Sequence, residues 1–223
     1  MAQKSIVILI SGRGTNLQSI IDAVKEGSIN AVISAVISNR PDAKGLERAR
    51  LENIDAVVID QNEYDDRRAY DRALIAKIAE YTPDLIVLAG FMRILSEEFI
   101  QHFDNMILNI HPSLLPEFKG LHTHRRALEA GKKIHGASVH FVSNELDSGP
   151  VVLQAEIPVL PGDTEDILAN RVLQQEHIIY PMAIAWYIDG RLSINDNKIR
   201  LDNSVLNRPV LWKENQLDFS RQH

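Results

Sequence analysis

The sequence predicts an α/β protein in three layers: a mostly parallel sheet covered by helices on both faces, joined late in the chain by antiparallel strands. Three observations carry this. Short runs such as Ser5 to Ile10, Ala31 to Ile37 and Asp84 to Ala89 are apolar at almost every position, as expected of strands buried on both faces. Helical segments separate them. After His135 the connections become too short for crossovers.

Taken in order, Ser5 to Ile10 ends at Ser11-Gly12-Arg13-Gly14-Thr15, and Asn16 to Lys25 reads as a helix. Ala31 to Ile37 is a second strand, Lys44 to Leu51 a second helix and Ala56 to Ile59 a short third strand. Asp65 or Asp66 is the N-cap of a helix reaching Tyr81, because a short acidic side chain accepts from the free N–H groups of the first turn. Asp84 to Ala89 is the fourth strand, Ser96 with Glu98 opens a short helix, and Met106 to His111 is the fifth strand. His135 to Val142 and Gly149 to Pro158 are extended segments joined by a six-residue turn, an antiparallel pair. Thr164 starts a long helix to Tyr187, with Glu165 and Asp166 complementing its dipole. Arg191 to Ile194 and Lys198 to Leu201 form a small hairpin, and the tail after Asn203 is polar and irregular, with weak order expected near its end. The parallel part of this plan is Rossmann-like. No repeat, low-complexity segment or linker interrupts it, so one domain is expected.

The chain has 223 residues, 45% of them hydrophobic and 24% charged, the balance of an ordinary soluble globular protein. A net charge of -6 gives no support to general binding of nucleic acid or anionic membrane. There are no cysteines, which removes disulfides, thiolate nucleophiles and cysteine-ligated metal centres. No signal-peptide core and no membrane-length apolar run is present, so a cytoplasmic location is expected.

The most informative stretch is Asn109-Ile110-His111-Pro112-Ser113-Leu114-Leu115-Pro116. Residues two apart on a strand share a face, so Asn109 and His111 present a carboxamide and an imidazole together at the strand end. That pair suits a tetrahedral oxyanion: the amide donates to the developing charge, and the ring donates and shuttles a proton. Asp147, in the turn before Ser148-Gly149-Pro150, reads alone as turn chemistry. Beside the imidazole it becomes a carboxylate able to hold the ring and relay a proton.

Ser11-Gly12-Arg13-Gly14-Thr15-Asn16 lies between a strand and a helix, where backbone N–H groups and the helix dipole favour phosphate. The dinucleotide fingerprint is incomplete, because Leu17 replaces its third glycine and Asn39-Arg40 stands where an acidic residue is expected. No nucleoside-triphosphate loop is present either. Gly90-Phe91-Met92-Arg93-Ile94-Leu95 follows the fourth strand and either lines a pocket for a flat ring or is ordinary loop packing. His122 and His124 lack acidic or cysteine partners at metal-ligand spacing, so structural or substrate-side roles are expected. His135 and His140 are assigned nothing, and His102 reads as surface.

These segments, with Gly120 to Arg125 and Glu145 to Pro150, closely resemble the phosphoribosylglycinamide formyltransferases, folate-dependent enzymes of purine biosynthesis, over residues 5 to 202. The resemblance implies the formyltransferase fold and formyl transfer from 10-formyltetrahydrofolate, a cosubstrate, to the amine of phosphoribosylglycinamide, with no metal. It makes Asn109, His111 and Asp147 the catalytic trio. Gly14, Thr15 and Asn16 match the loop binding the ribonucleotide phosphate, and Glu176 an acidic contact to the same substrate. Arg67, Met92, Arg93, Ile94 and Leu95 match folate contacts, as do Asn109 and the loop from Val142 through Asn144 to Asp147. Arg13 and Asn144 stand at positions that vary in the family; Arg13 is given no role. A cis Leu115-Pro116 bond is also implied.

The resulting expectation is a single domain with a phosphate-binding half over 1–105, a catalytic and folate-binding half over 106–202 and a weakly ordered tail over 203–223. Its partners are small molecules, without nucleic acid or membrane, and it acts as a monomer or homodimer. A deformylase-like hydrolase, using water as acceptor, is disfavoured because the chain begins at the first strand, leaving no room for a regulatory domain. A methionyl-tRNA formyltransferase is disfavoured by acidity and length. A non-catalytic nucleotide-binding module would leave the trio as coincidence.

Overall fold

The computed structural model describes residues 3–195, 198–213 and 215–220. Two compact units divide at Asn109 and Ile110.

In the first unit, β1 (Lys4–Ile10), β2 (Ala31–Ser38), β3 (Asp55–Val58), β4 (Leu85–Leu88) and the first residues of β5 (Ile107–His111) form a parallel sheet in the order β5-β4-β1-β2-β3. Ile6 to Ile10 of β1 are fully buried on both alternations. Such continuous burial explains why no polar alternation marks this strand. α1 (Thr15–Lys25), α2 (Gly45–Leu51), α3 (Arg67–Ala79) and α4 (Glu97–His102) connect the strands. Asp66 caps α3 by accepting from the Ala69 N–H, and Ser96 caps α4 by accepting from that of Phe99. A 3₁₀ turn over Gln61–Glu63 lies between β3 and α3, where no element was expected.

The second unit takes in the end of β5, α5 (Thr123–Glu129), β6 (Ile134–Phe141), β7 (Val151–Pro158) and α6 (Glu165–Ile188). β6 and β7 are antiparallel, in register from Ile134 opposite Pro158. Thr164 caps α6, whose Leu168, Val172, Ile179 and Ile184 are fully buried. β8 (Leu192–Asn195) and β9 (Lys198–Leu201) make the expected hairpin, extended by β10 (Ser204–Val205).

The tail corrects an expectation. Beyond Asn203, β11 (Val210–Lys213) pairs in parallel with β7, and β12 (Gln216–Asp218) pairs antiparallel with β11. Val210 is fully buried and Leu211 nearly so. A run of four residues shows no periodicity, and its partner lies more than fifty residues earlier, so no local signal marks it. Residues 221–223 lie outside the described chain.

Candidate active site

β5 carries Asn109 and His111 two residues apart, Asn109 half-buried and His111 with 6% of its surface exposed. In the second unit, His111 Nδ1 lies 3.4 Å from Asp147 Oδ2, and its Nε2 lies 2.9 Å from the carbonyl oxygen of Phe118. Both ring nitrogens therefore face oxygen acceptors. Asp147 Oδ2 also accepts from the backbone N–H of Gly120 at 2.8 Å, and only 9% of the side chain is exposed.

Local backbone geometry aims these groups. Asp147 has φ 48° and Phe118 φ 53°, in the left-handed region that non-glycine residues occupy at a cost. The Asp147 turn is pinned by Gly149, where a Cβ would sit 1.8 Å from the Phe141 carbonyl oxygen. Ser138 and Gln154 fix the loop after β5. Ser138 Oγ donates to the Ser113 carbonyl at 2.7 Å and accepts from the Leu115 N–H at 3.0 Å, while Gln154 Nε2 donates to the Leu115 carbonyl at 2.9 Å. The Leu115–Pro116 bond in this loop is cis.

Two more histidines surround the pair. His140, missed by the sequence reading, is buried with Nε2 3.9 Å from Asp147 Oδ1, and burial pushes its ring down to about 4. His135, equally unassigned, is pushed to about 4 by burial and then by the neighbouring His124. His124 Nδ1 and His135 Nε2 are 3.1 Å apart, one donating to the other. His122 is exposed and precedes α5 with φ 57°. These contacts join neighbouring strands and loops at no regular spacing, so no periodicity rule reveals them. Of the other residues anticipated here, Glu176 is buried on α6, Val142 is half-buried, and Asn144 is exposed.

The first unit holds the glycine loop. Gly14 takes φ 71° and ends the turn into α1, whose N-terminus has no side-chain cap. Its backbone packs so closely on α2 that a Cβ would lie 2.7 Å from Gly45 Cα. Arg48 braces the loop by donating to the Arg13 carbonyl at 3.0 Å. Thr15 and Asn16 are half-buried at the start of the helix, the end whose free N–H groups carry partial positive charge. Beyond β4, Met92 is 70% and Ile94 56% exposed, an apolar display on a loop whose Leu95 is buried. Arg67 donates to the Leu95 carbonyl. Arg93 stacks over Tyr70, 4.1 Å from the ring centre. A surface depression of about 1150 Å³ beside Arg67 is lined by Arg68, Arg72, Glu97, Glu98 and other charged or polar groups, and contains neither His111 nor Asp147.

Among the described residues, no group of three or more histidine, aspartate or glutamate side chains is placed to hold a metal ion. No helix among them is long and apolar enough to cross a membrane.

Known proteins share this sequence and fold. Residues 4–184 match the model of the formyl transferase family. The phosphoribosylglycinamide formyltransferase of Escherichia coli strain K12 is 55% identical over 202 residues, 91% of this chain and 95% of the relative. That of Haemophilus influenzae is 47% identical, covering 91% and 96%. The solved structure of the Coxiella burnetii phosphoribosylglycinamide formyltransferase superposes with a TM-score of 0.88 at 47% identity, over 92% of this chain and 96% of that one. A shared fold, near-complete mutual coverage and identity at this level leave one assignment: this chain belongs to the formyl transferase family.

Proposed function

We propose that this chain transfers the formyl group of 10-formyltetrahydrofolate to the amine of phosphoribosylglycinamide, a step of de novo purine biosynthesis. One observation carries the reading: a buried imidazole at the end of β5, two residues after a carboxamide, has a buried carboxylate 3.4 Å from its Nδ1. Such a set stabilises an oxyanion and moves a proton, which is what formyl transfer between two nitrogens requires.

The amine lone pair attacks the formyl carbon, and the carbonyl electrons move to oxygen. Asn109 donates its amide N–H to that oxygen. His111 donates as well, its Nε2–H leaving the Phe118 carbonyl for the oxyanion. Collapse of the intermediate re-forms the carbonyl and breaks the carbon–nitrogen bond to the folate. The proton released by the amine reaches the departing folate nitrogen, with Asp147 holding the charged ring meanwhile. No covalent enzyme intermediate forms, consistent with a chain lacking cysteine.

Substrate contacts follow the same reading. Gly14, Thr15 and Asn16 hold the ribonucleotide phosphate at the start of α1, and Glu176 contacts the same substrate. Arg67, Met92, Arg93, Ile94 and Leu95 face the folate, together with Asn109, Val142, Asn144 and Asp147. The enzyme acts in the cytoplasm on small molecules, as a monomer or homodimer, without a nucleic-acid or membrane partner and without a metal.

The test is to follow loss of the formyl group from the folate with and without phosphoribosylglycinamide. Turnover should require the amine; equal turnover in water alone would make the chain a hydrolase. Asn109→Ala should lower turnover about a hundredfold or more while the fold stays intact. Near-full activity in that variant would remove Asn109 from the chemistry.

A further inference from the structure

Four side chains and one backbone amide in the first unit form a directed circuit of hydrogen bonds that starts from two donors in the loop after β4, the Met92 N–H and the Arg93 guanidinium. The Met92 N–H donates to Ser11 Oγ at 2.7 Å, and the Ser11 hydroxyl donates to Asn39 Oδ1 at 2.5 Å. Asn39 Nδ2 then donates to Gln61 Oε1 at 2.7 Å, and Arg93 Nη1 donates to the same oxygen at 2.9 Å. Tyr70, fully buried, supplies the ring beneath the Arg93 guanidinium. Ser11 and Asn39 are 5% and 2% exposed, so water cannot readily replace these bonds.

The direction of donation makes Gln61 the end of the circuit. Every upstream group passes its donor on, and both lone pairs of one carbonyl oxygen receive what arrives. The turn itself fixes that oxygen: Gln61 opens the 3₁₀ segment capped by Asp60, and its backbone N–H donates to the Asn39 carbonyl at 3.2 Å. Ser11, meanwhile, is the first residue of the glycine loop. One amide thus holds both the backbone of Met92 and the guanidinium of Arg93 in register with the end of β1.

From this circuit we infer that Gln61 is a positioning residue for the folate, acting through Met92 and Arg93 rather than by touching substrate. The inference rests on the reading of Met92 and Arg93 as folate contacts. Removing the oxygen leaves two donors unmet and frees the guanidinium to swing on its ring. Replacing it by a carboxylate keeps both acceptor sites. Gln61 is only half-buried on a surface turn, so neither change threatens the core.

The experiment measures KM for each substrate and kcat for the full-length enzyme as Gln61→Leu, Gln61→Glu, Arg93→Ala and the Arg93→Ala/Gln61→Leu pair. Gln61→Leu should raise the folate KM about tenfold, the scale of an unmet buried hydrogen bond, with kcat and the phosphoribosylglycinamide KM within about twofold. Gln61→Glu should recover most of that loss. In the Arg93→Ala background, Gln61→Leu should add little, because its route to the folate is already gone. Equal damage from Leu and Glu, additive effects in the pair, or a rise in both KM values would overturn the inference. An Arg93→Ala enzyme with unchanged folate KM would overturn it at its premise. Amide exchange at Met92, read without substrate, tells the two failures apart: it accelerates in Gln61→Leu if the strap is real and only the folate assignment is wrong.

Discussion

The two units prepare their sites by opposite means. In the first, Gly14 and Gly45 bring two backbones together, neutral amides and a hydroxyl strap the loops, and of the chain's eight histidines only the exposed His102 is present. The second places titratable groups in buried or strained positions: His111, His135 and His140 are buried, and Asp147 and Phe118 sit at positive φ. Where backbone proximity makes a site, damage falls on binding. Where buried ionisable groups make it, damage falls on turnover and on the pH range of the fold.

Paired substitutions break this contrast most directly. Asp147→Asn keeps an acceptor for the Gly120 N–H but removes the charge beside the imidazole. It should lower kcat about a hundredfold with little change in either KM. Gly14→Ala puts a Cβ 2.7 Å from Gly45 Cα at φ 71°. The loop must open, so the phosphoribosylglycinamide KM should rise about tenfold or more while kcat changes little. Steady-state kinetics on both variants decides the matter. If Gly14→Ala reduced kcat alone, the division between binding and chemistry would fail.

What the sequence disclosed divides along similar lines. The buried runs of β1, β2 and β4 and the caps Asp66, Ser96 and Thr164 were legible, because burial and capping are local signals. Asn109 and His111 could be paired by the strand period alone. Asp147 was less legible: alone it read as turn chemistry, and it became a candidate partner of the imidazole only once set beside Asn109 and His111. The Phe118 carbonyl against His111, His140 behind Asp147 and the Gln61 circuit were invisible: the first two depend on how irregular loops fold back over seven residues, and the third on tertiary contact between distant segments. The irregular-looking tail failed for the same reason, since β11 is defined by its partner β7.

Acid should expose the second unit first. Burial lowers His135 and His140 to about 4, so the folded state holds both neutral while the unfolded chain binds protons below about 6.5. For groups depressed in the folded state, the stability is fully present above the unfolded value. It is lost as pH falls from about 6.5 toward 4. By pH 5 the deficit should be about 2 kcal/mol for each ring. The lowered carboxylates Asp42, Asp66, Asp84 and Asp202 act only below the ordinary aspartate value of 3.8, so they do not share this window. Urea unfolding at pH 7 and pH 5 measures the total, and hydrogen exchange locates it. Protection over Ile134–Phe141 should fall before protection over Lys4–Ile10. Equal loss in both strands would mean that acid does not distinguish the units.

The smallest effect tests whether the tail serves the fold or the site. Trp212 of β11 donates from Nε1 to Gln175 Oε1 at 3.1 Å, and Gln175 immediately precedes Glu176 on α6. Trp212→Phe keeps a ring against the helix and removes the donor. A single partly buried hydrogen bond of this kind contributes about 0.5–1.5 kcal/mol. α6 itself is held by Leu168, Val172, Ile179 and Ile184, all fully buried, so its path should not depend on that bond. The melting temperature should therefore drop by a few degrees, while kcat and both KM values stay within about twofold. A tenfold rise in the phosphoribosylglycinamide KM would show instead that β11 sets the position of Glu176. The tail would then belong to the substrate site rather than only to the sheet.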